Sequence, residues 1–190
     1  PKNNIDDQMD LAIADGKIAL ISKSIDEKDG KKVIDARDMY VTPCIIDLHV
    51  HVFHGTKAGQ DYMNGPNAVA PDGFSFRAGV TTVVDAGSSG WRTFPDFKKQ
   101  TIDVSKTRVL AFLNVVGEGM RGGPFEQNIK DMDASKTAEF AKNNPDEIVG
   151  IKLAHYNGHE WVPTERTVEA GNLSNLPVMI DFGGANPPLP

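Results

Sequence analysis

Asp47, His49 and His51 stand two residues apart in the stretch Val41-Thr-Pro-Cys-Ile-Ile-Asp-Leu-His-Val-His-Val-Phe53. The run is strongly apolar and reads as a strand, and alternate residues of a strand leave the same face. All three polar side chains therefore share a face, with two imidazoles placed to grip one metal ion. Neutral imidazole suits zinc or a similar divalent cation, and a catalytic zinc keeps one position open for water. Asp47 is expected behind the ligands, holding one imidazole in a single tautomer by hydrogen bond. The plainer reading is a strand whose exposed face happens to be polar. Against it stands the cost of burying three polar groups at the end of so apolar a strand unless they bind something.

Lys152 is the second anchor. It ends Ile148-Val-Gly-Ile-Lys-Leu-Ala154, a run otherwise apolar on both faces, where an unpaired ammonium is costly. From the residue alone, its amine either escapes to solvent or pairs with a carboxylate. His155 follows in a loop expected to face the same pocket, where it either touches substrate or is simply solvated. Asp85 ends another apolar run before Ala-Gly-Ser-Ser-Gly, and capping of backbone amides is its default role, with substrate contact the alternative. Arg92 and Arg121, on neighbouring loops, are candidates to clamp a substrate carboxylate. His54 and His159 are read as solvated loop histidines, and Trp91 and Trp161 as packing.

The elements that must position these residues are legible as a series. Apolar runs at 44–52, 80–85, 108–116, 148–154 and 177–182 alternate with helical spacers near 71–78, 94–104, 135–143 and 163–170. That is the pattern of a parallel α/β sheet. Ser135 is expected to cap its helix and Pro163 to sit in a first turn. Gly117-Glu-Gly-Met-Arg-Gly-Gly123 reads as a flexible loop leaving the third run. Ahead of the series, Asp15-Gly16 between alternating apolar residues predicts a hairpin over 11–21, and 32–35 predicts a third short strand.

Composition narrows the function classes. The chain has 190 residues, 39% hydrophobic and 24% charged, which is ordinary for a globular protein. A net charge of −6 without any basic cluster argues against nucleic acid as a partner. No apolar run approaches the roughly 20 residues of a membrane span. The single cysteine, Cys44, excludes an internal disulfide and fits a reducing, cytoplasmic setting.

Four motifs in order resemble the amidohydrolase superfamily, especially its dihydroorotase, hydantoinase and deacetylase branch. They are the Asp47/His49/His51 strand, Gly79-Val-Thr-Thr-Val-Val-Asp-Ala-Gly-Ser-Ser-Gly90, the Lys152 strand, and Pro177-Val-Met-Ile-Asp-Phe-Gly183. The resemblance implies a TIM (β/α)8 barrel beside a small β-sandwich, with residues 1–43 a partial sandwich and 44–190 the N-terminal part of the barrel. A TIM barrel takes eight strands and typically about 250 residues, so five strands predict a fragment cut at both ends. Two open sheet edges then predict self-association.

The resemblance further implies that His49 and His51 bind a first metal and that Lys152 is carbamylated to bridge two. One or two zinc-like ions would then activate water against the C–N bond of a small-molecule amide. It places Asp181 where the family carries a histidine ligand, and carboxylate is itself an acceptable ligand. It also implies a general-base aspartate beyond Pro190 and a homo-oligomer at full length. Phe53 stands where dihydroorotases carry a substrate-clamping arginine, which argues against dihydroorotate. The substitution at Asp181 keeps a second class in view: an oligomeric scaffold protein of the same branch that has lost metal ligands.

Overall fold

The structure, a computed structural model, describes residues 4–55 and 68–181. The chain divides into two compact units, Pro1–Pro43 and Cys44–Pro190. In the first, β1 (Asp10–Ala14) and β2 (Lys17–Ser22) form an antiparallel hairpin with Ala14 paired to Lys17. Asp15 and Gly16 both take positive φ, 51° and 71°, as a two-residue hairpin turn requires. The strand expected at 32–35 does not form. Asp35 instead turns its carboxylate onto the Arg37 amide at 3.1 Å, a local hydrogen bond that competes with a ladder. Val33 and Ile34 are left exposed.

The second unit is one parallel sheet of β3 (Ile45–Val50), β4 (Val80–Gly90), β5 (Arg108–Asn114), β6 (Ile148–Ala154) and β7 (Val178–Asp181). Spatial order follows chain order, β3-β4-β5-β6-β7. With no switch point, the twist curls the sheet one way, giving half of a barrel in place of a doubly wound sheet. The end of the fifth run, Phe182, lies outside the described residues.

The connecting helices are shorter and less regular than the spacers predict. α1 (Pro71–Phe74) tightens into a 3-10 turn, and α2 (Phe94–Phe97) loosens into a π turn over Lys98–Ile102. α3 (Gly123–Glu126) is one turn that starts at the last residue of the segment read as a flexible loop, 117–123. α4 (Ala134–Lys142) is capped by Asp133, whose carboxylate accepts from the Lys136 amide at 3.0 Å, so the cap lies two residues before Ser135. α5 (Val162–Ser174) has Pro163 in its first turn and ends on Asn175 in the left-handed region, with Trp161 about half exposed at its start.

Buried Val83, Leu113, Ile151 and Leu153 of the strands join Phe94 and Phe97 of α2 in one core. Phe53 packs on Phe97 with ring centroids 5.2 Å apart. The greasy character of β3 is not matched by burial: Ile45, Ile46 and Leu48 are all more than half exposed. β3 is an edge strand whose single neighbour is β4, so among the described residues nothing covers those side chains.

Candidate metal centre

The C-terminal ends of the strands carry the polar residues, the end at which such barrels do chemistry. His49 lies in β3 and His51 just past it, their rings edge to face with centroids 5.4 Å apart. Lys152 lies in β6 and Asp181 ends β7. The Lys152 side chain is fully buried, and Nζ donates to Asp181 Oδ2 at 3.2 Å and to Met179 Sδ at 3.3 Å. Burial lowers the basicity of that amine, and the Asp181 carboxylate opposes the shift. Gly87 on β4 makes room for it. A Cβ there would sit 2.5 Å from Lys152 Cγ, and φ is +91°.

His51 is held neutral. Burial first, then the neighbouring His49, Lys152 and His155, push its pKa down to about 4. His49, His51, Lys152 and Asp181 are thus gathered at one mouth. Asp47 is not where the sequence suggests: its carboxylate accepts from the His49 backbone amide at 3.1 Å and so shapes the strand end, not a ring. Ser88, at 3.2 Å from His51 Nδ1, stands in that place.

Asp85 caps backbone. Wholly buried, it accepts from the Val52 amide at 2.9 Å and the Ser88 amide at 2.7 Å, and burial raises its pKa to about 6 against those hydrogen bonds.

His155, in the left-handed region with φ 51°, stands between two carboxylates. Nδ1 lies 3.3 Å from Glu126 Oε2, and Nε2 lies 3.8 Å from Asp181 Oδ2. The Glu126 hydrogen bond raises its pKa. Gln127 next door donates to the His155 carbonyl at 2.8 Å and accepts from the Asn157 amide at 3.0 Å. Glu126 and Gln127 follow the glycine-rich stretch 117–123, and nothing in their local sequence signals such a clamp.

Arg92 and Arg121 are occupied elsewhere. Arg92 pairs with Asp131 and stacks 4.1 Å above the Trp91 ring, and Arg121 pairs with Glu118 at 2.7 Å and lies 4.0 Å over Phe125. These contacts pin the segment between β5 and α4. Its base is closed by an antiparallel bridge from Val116 to Met132 and by the Gly117 amide on the Asp131 carbonyl at 3.3 Å.

His51 and Asp85 make opposite pH contributions. The lowered pKa of His51 gives stability that is present above its ordinary 6.5 and lost as pH falls toward about 4. The raised pKa of Asp85 gives stability present below 3.8 and lost as pH rises through about 6. The two slopes oppose in the same window, so the wild type should vary little there on their account. Subtracting the unfolding free energy of His51→Phe from that of wild type isolates the histidine. That difference should move in favour of wild type as pH rises from about 4 to 6.5, and a pH-independent difference would refute the assignment.

The donors are two imidazoles, a buried amine and a carboxylate. Among the described residues no group of three or more His, Cys, Asp or Glu side chains is arranged to hold a metal ion. The Lys152 amine takes the Asp181 oxygen that such a group would need. As chemistry the set still fits a divalent ion, since His51 is neutral and a carboxylate on Lys152 would leave two anions facing each other.

No family model matches the chain. It is 32% identical to a deacetylase of Agrobacterium fabrum and 33% identical to one of Brucella anthropi, each over 89% of its length. A crystal structure of an adenine deaminase superposes over 94% of the chain with TM-score 0.73 and 25% identity. One of a dihydroorotase covers 95% with TM-score 0.71 and 29% identity. The chain is thus similar to proteins of the amidohydrolase superfamily along 89–95% of its own length. It spans 41–42% of those two deacetylases and 48% of each structure, so the five-stranded curl is the corresponding portion of an amidohydrolase TIM barrel. No helix among the described residues is long and apolar enough to cross a membrane.

Proposed function

We propose that this chain carries one side of the active site of a metal-dependent amidohydrolase that hydrolyses an amide, cyclic amide or N-acyl bond of a small molecule. The observation that carries the reading is Lys152: a fully buried amine at a barrel mouth, facing Asp181 and within electrostatic reach of His51. A structural protein has no physical need for that cost, so the scaffold reading is not favoured. Divalent ions, zinc by donor type, would be held by His49, His51, carbamylated Lys152 and Asp181, and would supply Lewis acidity to the attacking water and the scissile carbonyl. Neutral His51 offers a lone pair without first losing a proton. The lowered basicity of Lys152 raises the fraction of free amine, the form that adds carbon dioxide. Glu126 steadies His155 beside Asp181, where its ring can meet the polar end of a substrate.

Phe53 supports a substrate other than dihydroorotate. The position that would bear a clamping arginine is buried in the core against Phe97, and Arg92 and Arg121 are committed to Asp131 and Glu118. An N-acyl amino acid or a cyclic amide is the favoured class, consistent with deacetylase and D-hydantoinase relatives. The single cysteine fits a cytoplasmic setting, and the resemblance supports a homo-oligomer at full length. Elemental analysis of the full-length protein with a panel of N-acetyl amino acids and cyclic amides tests this, since the chain to Pro190 alone is expected to be inactive. Bound divalent metal, with hydrolysis lost on chelation and restored by zinc, is expected; a protein that takes up no metal would sink the reading.

A further inference from the structure

β4 and β5 fall out of step at the mouth. Their register passes from Ala86 opposite Phe112 to Gly90 opposite Asn114, so β4 advances four residues while β5 advances two. The excess is a bulge at 87–89, and bulges beside active sites serve to re-aim side chains. Here Gly87, with φ +91°, lays bare backbone against the stem of Lys152. Ser88 brings Oγ to 3.2 Å from His51 Nδ1, and its carbonyl accepts from the Met120 amide at 3.1 Å. The bulge therefore touches two members of the candidate centre and the segment that follows β5.

A bulge takes backbone groups out of the ladder, and a buried carbonyl left unpaired is costly. A side chain meets the one on Gly87. Asn114, fully buried at the end of β5, donates from Nδ2 to that carbonyl at 3.0 Å and accepts from the Val116 amide through Oδ1 at 2.9 Å. A carbonyl only accepts and a backbone N–H only donates, so the two partners fix which end of the amide faces which. An ionised aspartate would set a second acceptor against the Gly87 carbonyl. On its other side Asn114 is paired in register with Lys152, and the Val115 amide donates to the Lys152 carbonyl at 2.8 Å.

We propose that Asn114 is a positioning residue of the site: by bracing the β4 bulge it sets Gly87 against Lys152 and Ser88 against His51. That the brace aligns a metal centre rests on the metal-dependent reading above, though the brace itself does not.

The test uses the full-length protein. In wild type labelled with 15N, the side-chain amide protons of Asn114, assigned through its own backbone, should be protected from exchange with solvent. Asn114→Ser isolates the contact to Gly87: serine still offers an oxygen to the amide two residues on, but one bond shorter it falls short of the Gly87 carbonyl. Zinc affinity, measured by chelator competition well below the melting temperature, should fall about 10–100-fold in Asn114→Ser, the usual effect of disturbing what orients a ligand. The visible spectrum of the cobalt-loaded protein should shift with it. Asp72→Ala is the control. Asp72 accepts from the Lys106 and Thr107 amides at 2.9 and 2.8 Å at the opposite end of the sheet, so its loss should lower the melting temperature and leave both metal readings unchanged. Asn114 protons that exchange freely in wild type overturn the brace, whether or not the variant folds. Zinc affinity and cobalt spectrum unchanged in Asn114→Ser, or lost equally in Asp72→Ala, overturn the positioning role. A wild type that binds no zinc defeats the metal-dependent reading, and the brace then stands or falls on the exchange measurement.

Discussion

In the full-length protein, Lys152→Met is expected to abolish metal-dependent hydrolysis while leaving the protein as stable as before, or more so. The side chain is fully buried and its ammonium rests on Asp181 and the sulfur of Met179. Methionine matches its length and belongs in such surroundings. Replacing a buried charge by an apolar group of similar volume is often neutral or stabilising by about 1–4 kcal/mol. Asp181 is partly exposed and keeps water and His155 as neighbours, so it is not stranded. Losing the bridging carbamate should cost the second metal and at least about 10³-fold in rate, several kcal/mol of transition-state stabilisation. Thermal melts, elemental analysis and turnover read the two effects separately. A variant that unfolds, or one that keeps full activity, would show that the lysine serves the fold.

Asp181→Ala should do the reverse to stability. It leaves the Lys152 ammonium buried without its carboxylate, a loss expected to cost about 3–5 kcal/mol. In the Lys152→Met background the same change should cost under about 1 kcal/mol, because the coupling between the two is gone. Bound metal should fall in Asp181→Ala. Asp181→His should regain metal at least partly but not the stability of the metal-free protein, since imidazole offers a ligand without a counter-charge. Equal costs of Asp181→Ala in both backgrounds would remove the pair as the reason for the aspartate, and an undiminished metal content would remove it as a ligand.

The five strands of the sheet were legible because each is a compact apolar run, and β6 begins and ends at the residues the sequence suggests. Parallel order followed from the helical spacers. Less was legible in the helices: α2, with Phe94 and Phe97 buried, gives way after one turn to a π turn that no residue of 98–102 announces. The apolar pair at 33–34 looked like a strand because composition cannot report whether a partner edge is free. At the site, Lys152 announces itself by the cost of its burial and the two histidines by their spacing, His49 being exposed and His51 half-buried. Ser88 and Glu126 do not, since serine is common in any loop and Glu126 reaches His155 only through the fold of the segment before α4. Asp47 was misplaced for a related reason: strand alternation puts it on the right face, but its carboxylate folds back onto the chain.

The segment that bears Glu126 has its two ends tied together, Val116 bridged to Met132 and Gly117 to Asp131. Between those ties the chain is held at two further points, the Met120 amide on the Ser88 carbonyl at 3.1 Å and Gln127 on the His155 carbonyl at 2.8 Å. The stretch between these two points can change in length at little more than the entropy of a longer loop, about 0.6 kcal/mol per doubling. Evolution can therefore treat it as a cassette, trading one specificity for another across the mouth while the strands beneath keep Lys152 in register.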